Sequence, residues 1–202
     1  MRRSLTGLIL TLALAAQAHA GAQQEELLAA SVRASLSAAV SDRVAPDAAL
    51  GDPAERNAWL AEMSRRLERR IPDAGARMDF LRSVHYEAKR AGLDPQLVMG
   101  LIQVESGFRK YAVSSAGARG FMQVMPFWVR QIGTSEHNLF HLRTNLRYGC
   151  TILRHYLDIE RGDLYRALGR YNGSLGRPEY PNLVRAVWER DWSYNLVRLA
   201  QR

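Results

Sequence analysis

Glu105 is the acidic residue whose setting asks most of its chemistry. Leu97, Leu101 and Glu105 fall four apart, with Val98 and Ile102 beside them. A helix over this stretch therefore places all five on one face. That face is apolar until its last turn, where it carries a carboxyl. An ionised carboxylate turned toward a core is costly, so such a group finds partners or holds a proton. Spacing alone leaves two plainer roles open, a helix-end residue reaching water and a buried partner of an arginine. Gly107 follows, where the helix is expected to end. The small residues Ser114-Ser115-Ala116-Gly117-Ala118-Arg119-Gly120 then form a loop facing the carboxyl. A carboxyl kept protonated at a helix mouth is the setting of a general acid.

Other chemistries find less support. His137 and His141 stand four apart, which suits a metal pair on a helix face, but no third ligand is close in sequence. His85 and His155 sit in amphipathic patterns and read as packed or surface residues. No metal site and no cofactor are therefore expected. The lone Cys150 cannot form an internal disulfide and falls in an apolar helical pattern as a small core residue. No HExxH motif, phosphate loop or nucleic-acid motif is present.

The elements that must position Glu105 are helical. Asp94-Pro95 opens its helix, with Asp94 as cap and Pro95 at the first position. Before it, residues 79–91 carry Phe80, Leu81, Val84 and Ala88 on one side and end at Gly92. After it, a partly helical stretch over 121–132 has Pro126 near its second piece. Residues 145–159 show Leu146, Gly149, Leu153, Tyr156 and Leu157 at helical spacing. Asp163 caps 164–170, and 182–190 bring Val184, Val187 and Trp188 together. Upstream, residues 23–40 repeat an apolar residue every four positions and predict an amphipathic helix. Asp52-Pro53 opens another, lined by Trp59, Leu60, Met63 and Leu67, with Arg65, Arg66, Arg69 and Arg70 on a basic face expected to be solvated. No stretch alternates as a strand. The fold class is mainly α, with at most a small hairpin.

The chain begins Met1-Arg2-Arg3, continues with an uncharged apolar run from Leu5 to Ala16, and reaches Ala18-His19-Ala20 before Gly21. This predicts a secretory signal peptide over 1–20, cleaved near Ala20-Gly21, leaving a periplasmic or secreted protein. The apolar run is too short for a membrane span, which takes about 20 residues. With no Cys after the run, no stable membrane anchor is expected. Removal of Arg2 and Arg3, with no acid in the leader, takes the formal charge from +8 to +6. A basic protein in that compartment is drawn to anionic wall polymers. Residues 71–75, Ile71-Pro72-Asp73-Ala74-Gly75, mark a boundary between a short helical N-terminal segment, 21–75, and a main domain, 76–202. The first holds too little for its own core and is expected to pack on the second or to be partly mobile.

Glu105-Ser106-Gly107-Phe108, Ala112-Val113-Ser114 and Gly117-Ala118-Arg119-Gly120-Phe121-Met122-Gln123-Val124-Met125-Pro126 together resemble the soluble lytic transglycosylase (SLT) family. These are goose-type-lysozyme-like enzymes that cut peptidoglycan. Asn145 before a helix, Tyr171-Asn172-Gly173 and Tyr180 follow in that family's order, so the resemblance spans about residues 79–188. It implies a lysozyme-like helical domain, peptidoglycan glycan strands as partner, cell-envelope machinery as a further one, and action as a monomer. It also implies that Glu105 alone is catalytic. The acid first protonates the leaving sugar, then takes the proton of the substrate's own C6 hydroxyl, which closes a 1,6-anhydro ring. The next acids downstream, Glu136, Asp158 and Glu160, lie in no matching motif.

By the same resemblance, Ser114, Gln123, Met125, Tyr171, Asn172 and Tyr180 line the substrate cleft. Gln123 would bond the sugar, Met125 form an apolar wall, and the two tyrosines offer rings to sugar and hydroxyls to the acid. Ser106, Gly117, Gly120 and Asn145 are expected to hold the site's backbone. The chain departs from the pattern at Phe127-Trp128, where small polar residues are usual, which would narrow or extend the cleft. It departs too at Phe121, where Leu is commoner, and at Tyr171-Asn172-Gly173-Ser174, which lacks the usual Ala. A hydrolysing lysozyme or chitinase, or a wall-binding assembly factor without turnover, are the alternatives.

Overall fold

The computed structural model describes residues 23–46 and 50–194; the expected signal peptide lies outside them. Among the described residues eight α-helices run in the order α1 (Ala30–Val40), α2 (Pro53–Leu67), α3 (Ala74–Arg90), α4 (Pro95–Ser106), α5 (Pro126–Ile132), α6 (Leu142–Ile159), α7 (Leu164–Asn172) and α8 (Glu179–Val187). A π-helical turn, Trp188–Trp192, extends α8. No regular strand forms among the described residues. Isolated antiparallel bridges pair Val113 with Arg119 and Arg119 with Val124, in the loop after α4.

Helix starts follow their capping residues. Asp52, Asp73, Asp94 and Asp163 each accept a backbone N–H of the first turn through the side chain, at 2.7–3.0 Å. α4 ends where predicted, with Gly107 in the left-handed region (φ 57°) and its N–H returning to the Gln103 carbonyl. α4 lies at the centre, between α3 on one side and α8 with its π turn on the other. Gly100 makes the second packing possible, because a Cβ there would stand 2.9 Å from Cβ and 3.1 Å from N of Trp188. Leu97, Val98, Met99, Leu101 and Ile102 are all buried, so α4 is apolar nearly all round.

Some elements differ from the sequence expectation. The first helix starts at Ala30 rather than at 23, and residues 23–29 carry no secondary structure. Their polar side chains find partners on α5 and α7 instead, and Ala29 at the helix start supplies no side-chain cap. Asn145 stands inside α6 rather than before it. The last helix begins at Glu179 and passes into the π turn at Trp188.

The basic face of α2 is only partly solvated. Arg66 Nη1 donates to the carbonyls of Asp191 and Ser193, at 3.0 and 3.1 Å. The Arg70 guanidinium lies 5.7 Å from the Phe108 ring and 5.9 Å from that of Trp192. Leu36 and Val40 of α1 and Trp59, Leu60, Met63 and Leu67 of α2 join the same core as the helices after them. A buried ion network reinforces this union. Glu87 of α3 faces Arg147 of α6 at 3.4 Å and Arg90 at 3.2 Å, and Arg147 also holds Asp42 just after α1.

Glu87 is 1 % exposed, and its removal leaves Arg90 without a carboxylate and Arg147 with Asp42 alone. Glu87→Ala is expected to cost about 3–5 kcal/mol, the usual penalty for an uncompensated buried charge. Urea denaturation checks this, and a loss below about 1 kcal/mol would mean that water reaches the network.

Candidate active site

Glu105 sits on the last turn of α4, 4 % exposed. Its Oε1 accepts a hydrogen bond from the Tyr180 hydroxyl, and its buried Oε2 makes no hydrogen bond with the protein. Burial pushes its pKa up to about 8, outweighing the lowering effect of the Tyr180 bond. The carboxyl therefore carries a proton at neutral pH. Since Tyr180 donates to Oε1, that proton belongs on Oε2, the oxygen free to give it away. No other charged side chain contributes to the shift. Neither of the plainer roles fits: Glu105 does not reach water and pairs with no arginine.

Around the acid, the loop 112–125 is fixed by buried polar side chains. Ser106 Oγ donates to the Phe121 carbonyl at 2.7 Å. Asn145 Oδ1 accepts from Met122 N at 2.8 Å, and its Nδ2 donates to the carbonyls of Arg119 and Leu139, both at 2.8 Å. The Tyr171 hydroxyl donates to the Met122 carbonyl at 2.8 Å. Gln123 has φ +47° and is almost fully buried, and its Nε2 donates to the carbonyls of Gly120 and Ala112 at 2.9 and 3.1 Å. Gly120 must be glycine, because its φ is +76° and a Cβ would meet Asn145 Nδ2 at 2.4 Å. Ser114 Oγ accepts from Ala118 N and closes the turn that contains Gly117.

The sequence-predicted residues thus divide. Tyr180 and Glu105 meet directly. Ser106 and Asn145 bond backbone groups of the loop, and Gly120 turns it. Gln123 through its Nε2 and Tyr171 through its hydroxyl bond the same loop, and Tyr171 is wholly buried. Met125 and Ser114 are half-buried, and Asn172 is buried at the end of α7. Phe127 and Trp128 are buried too, Trp128 against Tyr156 and His155. His137 Nδ1 bonds the Tyr148 hydroxyl at 2.7 Å, and no metal-binding cluster exists among the described residues.

One contact had no signal in the sequence. Gln23 is 4 % exposed, and its Oε1 accepts from Trp128 Nε1 at 2.9 Å and more weakly from Met125 N at 3.5 Å.

Residues 82–181 match the family model described as "Transglycosylase SLT domain". The chain carries an SLT-family domain. The matched stretch contains Glu105 and Tyr180 together with the clamped loop between them. Among similar proteins, the transglycosylase of Enterobacteria phage PRD1 is 35% identical over 88 residues, covering 44% of this chain and 32% of that protein. Membrane-bound lytic murein transglycosylase C of Actinobacillus pleuropneumoniae is 51% identical over 47 residues, covering 23% and 13%. An inactive mutant of the lytic transglycosylase Slt from Pseudomonas aeruginosa aligns with a TM-score of 0.44 at 25% identity, covering 66% of this chain and 23% of that one. The chain therefore spans a third or less of the length of these relatives. No helix among the described residues is long and apolar enough to cross a membrane.

The raised pKa of Glu105 has a stability consequence. Its ordinary value is 4.5, so the folded SLT domain holds a proton that the unfolded chain releases between about pH 4.5 and 8. The stabilisation is complete below that window and is lost as pH rises through it. Each pKa unit is worth about 1.4 kcal/mol, so the loss reaches a few kcal/mol. Glu105→Gln, which never ionises, is expected to melt increasingly above the unaltered protein from pH 5 to pH 8. A constant gap in melting temperature across that range would place the carboxyl's pKa near its ordinary value.

Proposed function

We propose that this protein is a peptidoglycan lytic transglycosylase of the cell envelope, acting in the periplasm or outside the cell after loss of residues 1–20. It would cut the β-1,4 bond between N-acetylmuramic acid and N-acetylglucosamine. The observation that carries the reading is a buried, protonated Glu105 with one oxygen free and no second carboxylate acting on it. The SLT-family match supports the substrate class.

In this reading Oε2 delivers its proton to the glycosidic oxygen. The C1–O bond breaks with its electron pair leaving on that oxygen, and an oxocarbenium-like centre develops at C1. Glu105 is then an anion in an apolar setting, eased by the Tyr180 hydroxyl alone. The burial that kept it protonated now makes it a strong base. It takes the proton of the sugar's C6 hydroxyl as that oxygen bonds to C1, which restores the acid. A hydrolase would need a second carboxylate to activate water or to form a covalent intermediate. The C6 hydroxyl is tethered beside C1 and enjoys an effective concentration of about 10⁵ M or more, well above that of water. Met125 and Ser114, half-buried side chains of the loop, would meet the sugar. Gln123, Tyr171 and Asn145 would hold the loop that does so.

Three outcomes are expected. Glu105→Gln should lower cleavage of purified sacculi by at least about a hundredfold, the usual worth of acid–base catalysis. Tyr180→Phe removes the bond that lowers the acid's pKa, so the alkaline limb of the pH–rate profile should move upward while the rate falls by about tenfold, the worth of one hydrogen bond to a charged group. An unmoved limb would assign Tyr180 to packing. Products should end in 1,6-anhydro-N-acetylmuramic acid, lighter by one water than hydrolytic ends and unlabelled after digestion in heavy-oxygen water. Label at every new end would make the protein a lysozyme.

A further inference from the structure

We propose that residues 23–26 mimic a peptide-bearing glycan strand in cis, filling a groove between α5 and α7 that binds the acetamido and carboxylate groups of peptidoglycan. The proposal rests on the transglycosylase reading and adds a binding groove and its occupant. The four residues, Gln23-Gln24-Glu25-Glu26, place two carboxamides first, the Gln23 one buried, and two carboxylates after them. The carboxamide oxygen of Gln23 takes the N–H of Trp128 at 2.9 Å and faces that of Met125 at 3.5 Å. Its Nε2 is buried and finds no hydrogen-bond partner among the described residues. Glu25 meets Arg130 at 3.3 Å and Gln131 Nε2 at 3.5 Å. Glu26 meets Arg170 Nη1 at 3.6 Å, and its carbonyl accepts from Gln131 Nε2 at 3.0 Å. Arg170 is set in place from behind by Glu160.

The groove thus offers donors for one amide carbonyl, then cations for carboxylates. A muropeptide strand carries the same groups, an acetamido carbonyl on each sugar and carboxylates on its peptide. The segment is also built to leave. Leu27 is 99 % exposed, Glu25, Glu26 and Arg130 are all exposed, and such ion pairs hold weakly. Meanwhile Glu105 Oε2 is closed from solvent, so a strand reaches the acid only after the structure opens. Trp128 gains a role here: its indole N–H is the donor that segment and strand share.

The test measures binding by the full chain carrying Glu105→Gln, which leaves strands intact. One probe is a peptide-bearing muropeptide oligomer, the other a peptide-free oligomer of N-acetylglucosamine. Adding Gln23→Ala should tighten both by about three- to tenfold, as expected for freeing one good hydrogen-bond donor. Adding Glu25→Gln with Glu26→Gln, at exposed positions, should tighten only the peptide-bearing probe. Trp128→Phe keeps an aromatic ring, smaller than indole, but loses the donor, and should cancel the gain from Gln23→Ala. Unchanged or weaker binding in Gln23→Ala, with the melting curve retained, would make residue 23 part of the wall and overturn the proposal. Equal tightening of both probes by the double carboxylate change would overturn the peptide assignment. If the unaltered protein neither binds these probes nor cuts sacculi, the transglycosylase reading itself fails.

Discussion

A carboxyl buried in an apolar helix is the constraint on which the rest of this structure turns. Desolvation raises the pKa of Glu105 and supplies both of its chemical states: an acid that holds its proton at neutral pH and, once the proton is gone, a base that wants it back. Keeping that setting dry requires α4 to be covered on all sides. Gly100 lets the π turn after α8 close against it, Tyr180 of α8 reaches the carboxyl, and the core side chains of α3 seal the other flank. The helical architecture is organised to keep water from one group while leaving one of its oxygens unbonded.

The polar residues around the acid serve a different need. A loop crossing a core must satisfy its backbone groups, since each one left buried without a partner costs about 1–3 kcal/mol. Ser106, Asn145, Gln123 and Tyr171 bond six carbonyls and one N–H of residues 112–139 between them. Side chains that look fit for a sugar are thus the frame of the loop that would face it. The loop's rigidity follows from buried hydrogen bonds, and Met125 and Ser114 are left at its edge.

The N-terminal helices belong to this construction. α1 and α2 contribute to the common core, and the Glu87, Arg90, Arg147 and Asp42 network ties the end of α1 to α3 and α6. The extended residues before α1 lie across α5 and α7, where their amide and carboxylates meet complementary groups. An amphipathic helical pattern over 23–29 yields there to tertiary partners, because a few specific hydrogen bonds outweigh the small propensity of an uncapped helix end.

Local chemistry made much of this protein readable. Asp-Pro pairs and Gly107 mark helix ends because caps act within a few residues. The four-residue repeat of Leu97, Leu101 and Glu105 puts the acid on the buried face because helix geometry is periodic. The mainly α class and the SLT resemblance followed from the same short-range patterns. What only the tertiary structure decided is where polar atoms at long separation find each other. Of the two tyrosines that the resemblance aimed at the acid, Tyr180 reaches Glu105 across 75 positions while Tyr171 turns to Met122, and Gln23 reaches Trp128 across 105. A hydroxyl or amide satisfies itself equally well with sugar, water or backbone. Its type and spacing therefore name no partner, and the packing of helices distant in sequence makes the choice.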